Sequence, residues 1–330
     1  MTLNRRSILK AGAAAAALPL LGSRAFAQTE PLKVGFIYVG TINDNGYNYA
    51  HNQGRLYLEE KLGDAVETTY VENVPEGPDC ERVLRELAQQ GNKLIFATSF
   101  GFGDSVIKVA QQFPDVKFEH ATGYQKADNV GLYNARFYEG RAVCGIIAGH
   151  LSKTAKAGYI GSFPIPEVVM GINAFVPMID QGIDVIAQHT DGPAALQVAQ
   201  ERGIVGGFGQ GADMSAFAPE TQLTSIIDHW GPHYVAAAQA VIDGTWTAGD
   251  TWEGLKEDVV QIGPYGPKVT EEVKAAAEEV RLGQIDGSFH IFTGPIKDNT
   301  GAERVPAGVT MTDAELLSMD WYVEGVEQPA

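Results

Sequence analysis

The chain has 330 residues and a formal net charge of −17, with 24 Lys and Arg against 41 Asp and Glu. So acidic a balance argues against nucleic acid and anionic membranes as partners and leaves a small neutral ligand open. The two cysteines, Cys80 and Cys144, form no CxxC motif, which removes the usual redox and metal readings.

The chain opens with Arg5-Arg6 followed by Ser7-Ile8-Leu9-Lys10, then an apolar run from Ala11 to Leu21, then Ala25-Phe26-Ala27. Charged, apolar and small residues in that order read as a secretory leader, and the paired arginines match the twin-arginine type. The expectation is a signal peptide over residues 1–27, cleaved near Ala27/Gln28, and a periplasmic protein. The run falls short of the ~20 residues that cross a bilayer. Loss of Arg5, Arg6, Lys10 and Arg24 takes the charge from −17 to −21. The remainder, about 300 residues, fits two domains better than one.

Strand and helix signals alternate from Lys33 onward. Strands are expected at 33–39, 68–74, 94–99, 116–121 and 130–134. Helices are expected at 47–61, 80–90, 104–113 and 138–151. The pattern resumes with strands at 157–163, 184–189, 203–209 and 223–228, and helices at 168–178, 193–202, 234–242 and 269–282. The last helix should stop at Gly283, and the tail from Phe289 reads as turns. Alternation on this scale indicates parallel, doubly wound sheets. Two α/β units follow, divided near Lys153 to Lys156. The second is thin, because only about 20 residues separate the strand ending at Phe163 from the one starting at Asp184.

Ligands of parallel sheets sit at the carboxyl ends of the strands. Asp44, Gly46, Tyr47 and Asn48 follow the first strand, with Tyr47 a stacking face, although Asn, Asp and Gly are equally ordinary turn and cap residues. Ser99 to Asp104 holds a like position, where Phe100 could cover a ring or simply pack. Asp191 follows a later strand as a ligand acceptor or a helix cap. Gly207 to Asp213 lacks the following helix of a dinucleotide fingerprint. It reads as a glycine-lined cleft wall, with Gly209 and Asp213 toward a ligand, or as a plain loop. His229 and His233 have the spacing of a helical metal pair, but Gly231 and Pro232 lie between them and no third ligand is evident. There is no Gly-x-Ser-x-Gly, P-loop or His-Glu-x-x-His, no cofactor site is legible, and no arginine cluster clamps a phosphate.

Taken together, Val34 to Asn48, Leu94 to Gly101, Phe113 to Phe118, Tyr138 to Gly145, Gly158 to Gly161, Gly182 to Ile186 and Leu223 to Ile227 resemble the basic membrane protein family. These are solute-binding proteins of ABC importers, here most similar to purine nucleoside and nucleobase binders. The resemblance implies a two-lobed α/β periplasmic-binding-protein type I fold with three hinge crossings and a purine between the lobes. It implies an N-terminal lobe of residues 28–155 plus about 228–248, and a C-terminal lobe of residues 156–227 plus about 249–330. By position it adds Phe137, Glu139 and Asp228 to the ligand loops. It implies an ABC permease as partner, no catalytic residues and no cofactor. Two departures stand out. Nucleoside binders commonly carry Lys where Asp228 stands. A strand and helix of roughly 30 residues are also missing after Phe175, so the second lobe is shortened. Rival readings are a binder of another small ligand such as a sugar or flavin, a sensor-linked receptor, or a nucleoside hydrolase, the last disfavoured by the absence of a nucleophile motif.

Overall fold

A computed structural model describes residues 30–327 apart from 44, 155, 162–165 and 176–182. The expected leader, residues 1–27, and Asp44 therefore lie outside the described residues. The first sheet grows from short apolar strands: β1 (Leu32–Ile37), β2 (Val66–Val71), β3 (Leu94–Ala97), β4 (Lys117–Ala121) and β5 (Val130–Ala135). β3 is buried at every position, as a central parallel strand must be. The helices between them are α1 (Tyr47–Leu62), α2 (Pro78–Gln89) and α3 (Gly103–Ala110). α2 buries Cys80, Val83, Leu84, Leu87 and Ala88, a stripe at helical spacing, and starts with Pro78 at the position that needs no N–H.

The chain continues through α4 (Phe137–Leu151), β6 (Lys156–Gly161), α5 (Pro166–Phe175), β7 (Ile183–His189), α6 (Ala194–Glu201), β8 (Gly206–Gly211) and β9 (Gln222–Asp228). Then come α7 (Gly231–Ile242), β10 (Asp250–Glu253), β11 (Val260–Ile262) and α8 (Glu271–Asp286). A hairpin of β12 (Ile296–Lys297) and β13 (Glu303–Val305) and the short α9 (Asp313–Leu317) complete it.

The first sheet runs β10-β5-β4-β3-β1-β2, parallel throughout. The second runs β11-β9-β8-β7-β6, parallel except for β11. Strand order reverses between β1 and β3, the switch point where such sheets open a crevice. The first sheet carries β2 outside β1, whereas β6 is the outermost strand of the second sheet among the described residues. The sequence leaves only residues 176–182 between α5 and β7, and a parallel crossover needs a dozen residues or more. No further strand–helix unit fits there, so among the described residues the second sheet has no strand beyond β6.

Several expectations are corrected. The boundary placed near Lys153 to Lys156 lies earlier: α4 packs on α5, α8, β9 and β11, so the chain leaves the first sheet after β5. The reason is the helix's composition. Its residues from Phe137 to Ala148 are buried almost all round and need cover on several sides. Residues 250–253, expected with the second unit, pair with β5 instead. β10 and β11 were not foreseen. α8 runs through Gly283 to a left-handed Gly287 at φ 79, because Gly283 is where the helix meets Phe289. α7 starts at Gly231, with Pro232 in its first turn.

One hydrophobic core links both sheets. It joins Phe36, Phe96, Tyr133 and Tyr234 to Val185, Phe208, Leu223 and Ile226 through Phe137 and Trp230 at the crossings. Cys80 and Cys144 are buried free thiols in separate clusters, and burial pushes both up to about 12.

Candidate functional site

Loops from the two sheets meet at backbone level. A Cβ on Gly46, before α1, would stand 2.4 Å from the carbonyl oxygen of Asp191, after β7. Gly211 ends β8 at φ +82, and a Cβ there would stand 2.8 Å from the carbonyl carbon of Gly46. Only glycine permits both the left-handed backbone and this approach.

Behind this contact lies a layer of aromatic rings. Tyr47, the first residue of α1, sets its ring edge-on to His51 at 4.5 Å. His51 stacks on Trp230 at 5.0 Å with the planes 8° apart. Phe137 stands edge-on to Trp230 at 6.0 Å and to His189 at 5.9 Å. Burial raises the Tyr47 hydroxyl well above its ordinary value, helped by Tyr133, Glu167, Asp191 and Asp228. It stays a neutral phenol facing an acidic wall.

That wall belongs to the second sheet. Arg141 of α4 is fully buried and donates Nη2 to Gln210 Oε1 on β8. Gln210 Nε2 in turn donates to Asp228 Oδ1 at 3.2 Å. A neutral amide thus separates the guanidinium from the carboxyl group. Glu167 of α5 holds His189 Nε2 at 3.2 Å through Oε1. Asp228 is 3% exposed, and burial pushes its carboxyl up to about 8; Arg141 pulls the other way and Glu167 adds to the rise.

Several buried atoms here have no hydrogen-bond partner among the described residues: Arg141 Nε and Nη1, Trp230 Nε1, His51 Nε2, Asp228 Oδ2 and Glu167 Oε2. An unpartnered buried polar atom costs about 1–3 kcal/mol, more when charged. Such a group is stable only if something supplies acceptors to the nitrogens and donors to the carboxylates. A cleft of about 330 Å³ borders it, lined by Tyr49, Gln53, Tyr57, Asp213, Asp228 and Trp230.

The residues singled out from the sequence divide. Tyr47, Phe137 and Asp228 stand together in this group, with Gly46 and Asp191 at its backbone contact. Asn48 is buried and accepts the Gly40 N–H at 3.1 Å, pinning the loop after β1. Phe100 is 43% exposed and leans on Tyr124, away from the group. Glu139 accepts the Leu255 N–H at 2.8 Å, and burial raises its carboxyl, so it ties α4 to the segment after β10. Gly209 lies inside β8 against Ser225. Asp213 receives Ser215 and Gln222; burial works to raise its carboxyl, but these hydrogen bonds outweigh it and hold it low. His229 and His233 turn to different partners, Asp258 and Glu119.

Sequence reasoning missed His51, Arg141, Glu167 and Trp230, and placed Gln210 only as part of the loop Gly209 to Asp213. Arg141 beside the apolar stretch Ala142 to Ala148 was a usable signal, since a charge on an all-buried helix must have a purpose.

A sequence profile described as ABC transporter substrate-binding protein, PnrA-like, matches residues 32–177 and 176–291. A purine-binding protein of Brucella abortus is 50% identical over 93% of this chain and 96% of its own length. That alignment runs over 339 positions but takes in about 307 residues of the 330, so about 30 positions of the relative have no counterpart here. The profile match breaks at residues 176–177, directly after α5. A Haloferax volcanii protein named as a candidate ABC transporter glucose-binding protein is 36% identical over 90% of this chain and 81% of its own. Among solved structures, an ABC transporter solute-binding protein of Aeropyrum pernix aligns with a TM-score of 0.65 at 19% identity, over 88% of this chain and 98% of that one, and shares the fold. This two-sheet α/β chain belongs to the PnrA-like family of ABC transporter substrate-binding proteins.

Proposed function

We propose that the protein binds a purine base or nucleoside between its lobes and delivers it to an ABC permease. The observation that carries this reading is the buried group around Asp228 and Trp230. It offers unpartnered N–H donors and carboxyl oxygens beside the flat rings of Tyr47, Phe137 and Trp230. A neutral planar heterocycle with ring acceptors and N–H donors on its edges satisfies both demands. The 50% identical Brucella protein, named for purine binding, supports the same class. Closure would bend the chain at 135–137, 228–231 and 253–260. The N-terminal lobe would then comprise 31–135 with 229–253, and the second lobe the rest.

Calorimetric titration of the purified mature chain with adenine, hypoxanthine, adenosine and guanosine tests the claim. Heat with at least one supports it, and none with folded protein refutes it. Glucose belongs in the same panel, because the Haloferax relative favours a sugar as the second reading. Arg5-Arg6, the apolar run and Ala25-Phe26-Ala27 support export by the twin-arginine route to the periplasm. The mass of the secreted protein should correspond to a first residue at or near Gln28; an intact leader on the exported protein would refute that.

A further inference from the structure

His51 has no exposed surface and lies between Trp230, stacked at 5.0 Å, and the edge of Tyr47 at 4.5 Å. Burial lowers its pKa to about 3, so the ring is neutral and carries one N–H. Which nitrogen holds it follows from two tyrosines. His51 Nδ1 lies 2.5 Å from the Tyr234 hydroxyl, and that hydroxyl lies 3.2 Å from the hydroxyl of Tyr133.

Two proton arrangements are available. In one, Tyr133 donates to Tyr234, Tyr234 donates to Nδ1, and the imidazole hydrogen sits on Nε2. In the other, Nδ1–H donates to Tyr234, Tyr234 donates to Tyr133, and the Tyr133 hydrogen is left with nothing among the contacts of this trio. Each arrangement makes two hydrogen bonds and leaves one hydrogen and one acceptor unspent, so the count alone does not choose. The strength of the short contact does: a phenol is a better donor than acceptor, and an imidazole nitrogen is a better acceptor than a phenol oxygen. Tyr234 O–H donating to Nδ1 is therefore the stronger bond, and the first arrangement is the stable one. His51 Nε2 has no partner among the described residues, and neither does the indole N–H of Trp230, the ring it stacks on.

We propose that His51 is a specificity-determining donor of the ligand site. The Tyr133–Tyr234 hydroxyl pair fixes its Nε2–H tautomer, and that N–H demands a ring-nitrogen or carbonyl acceptor on the ligand. The inference rests on the purine reading above, and it assigns roles to three residues that no sequence motif singled out. Tyr133 and Tyr234 act through His51, as positioning residues, and touch no ligand.

Two measurements test it. Imidazole ¹⁵N–¹H correlation spectra of the ligand-free protein, with the His51 signals assigned by their loss in His51→Gln, report the tautomer without any ligand. Protonation at Nε2 is expected in the wild type, with a shift toward a tautomer mixture in Tyr234→Phe. Protonation at Nδ1 in the wild type would overturn the inference on its own. Calorimetry then compares adenine or hypoxanthine, whichever binds, with its 3-deaza and 7-deaza analogues. One analogue should bind the wild type at least tenfold more weakly than the parent base. The difference should vanish in His51→Phe and persist in His51→Gln, whose amide can restore a donor. The same discrimination in His51→Phe, or equal binding of all analogues by the wild type, would overturn it. Failure of the folded wild type to bind any purine would instead overturn the purine reading, and this inference with it.

Discussion

Replacing Asp228 with asparagine should stabilise the ligand-free protein in a pH-dependent way. Burial moves this carboxyl from 3.8 to about 8. Below the lower value it is protonated in both folded and unfolded chains and contributes nothing. Between the two, the unfolded chain releases its proton and the folded chain keeps it, so stability falls as pH rises. The fall is complete above about pH 8. The two values lie about four pH units apart, and each unit is worth about 1.4 kcal/mol, giving about 6 kcal/mol as an upper bound. Asparagine does not titrate, and its amide oxygen can still accept from Gln210 Nε2. Urea unfolding of the mature chain and of Asp228→Asn should therefore agree near pH 4. At about pH 8 the variant should be ahead by about 3–5 kcal/mol. Equal stability at pH 8 would mean that water or a counter-charge already serves Asp228, and the account of an unmet carboxylate would fail.

Three further outcomes are expected. Arg141→Met removes a buried guanidinium with two idle nitrogens; purine affinity should fall at least tenfold by calorimetry. Gly211→Ala puts a Cβ 2.8 Å from the Gly46 backbone at a φ of +82. Small-angle scattering of the purine-saturated variant should show it more open than the wild type, with weaker binding and unchanged circular dichroism. Phe96→Ala opens the stack on Phe36, whose ring centroid lies 4.8 Å away, and should cost about 3–5 kcal/mol in urea unfolding.

The order of elements was legible because apolar strands alternate with helices of periodic spacing from Lys33 onward. What escaped was short or marked by tertiary contacts alone. β10 and β11 have four and three residues with little apolar signal, and each is a strand only because β5 or β9 offers it an edge. α9 carried a readable cue, the capping box of Thr312 and Glu315, that the turn-rich surroundings hid. α4 announced itself as a helix, but nothing local said which sheet would cover it. The site was half legible for a similar reason. Tyr47 opens the helix that follows β1, on the side where a parallel sheet places its ligands, and Asp228 came with the family resemblance. His51, Arg141 and Gln210 lie inside elements and look like core; only the fold brings them to Asp228 and Trp230. The missing strand–helix unit after Phe175 was visible as a length too short for its place, and the edge position of β6 gives it a physical meaning.

The central claim is that a purine sits against the Trp230–Asp228 group between the two sheets. A crystal structure of the mature protein with the tightest-binding purine tests it most directly. The account predicts the ring beside Tyr47 and Trp230, with a ligand N–H within hydrogen-bond distance of Asp228 Oδ2 and an acceptor facing Arg141 or His51. A purine bound elsewhere, with Asp228 Oδ2, Arg141 and Trp230 Nε1 still without a ligand contact, would contradict it.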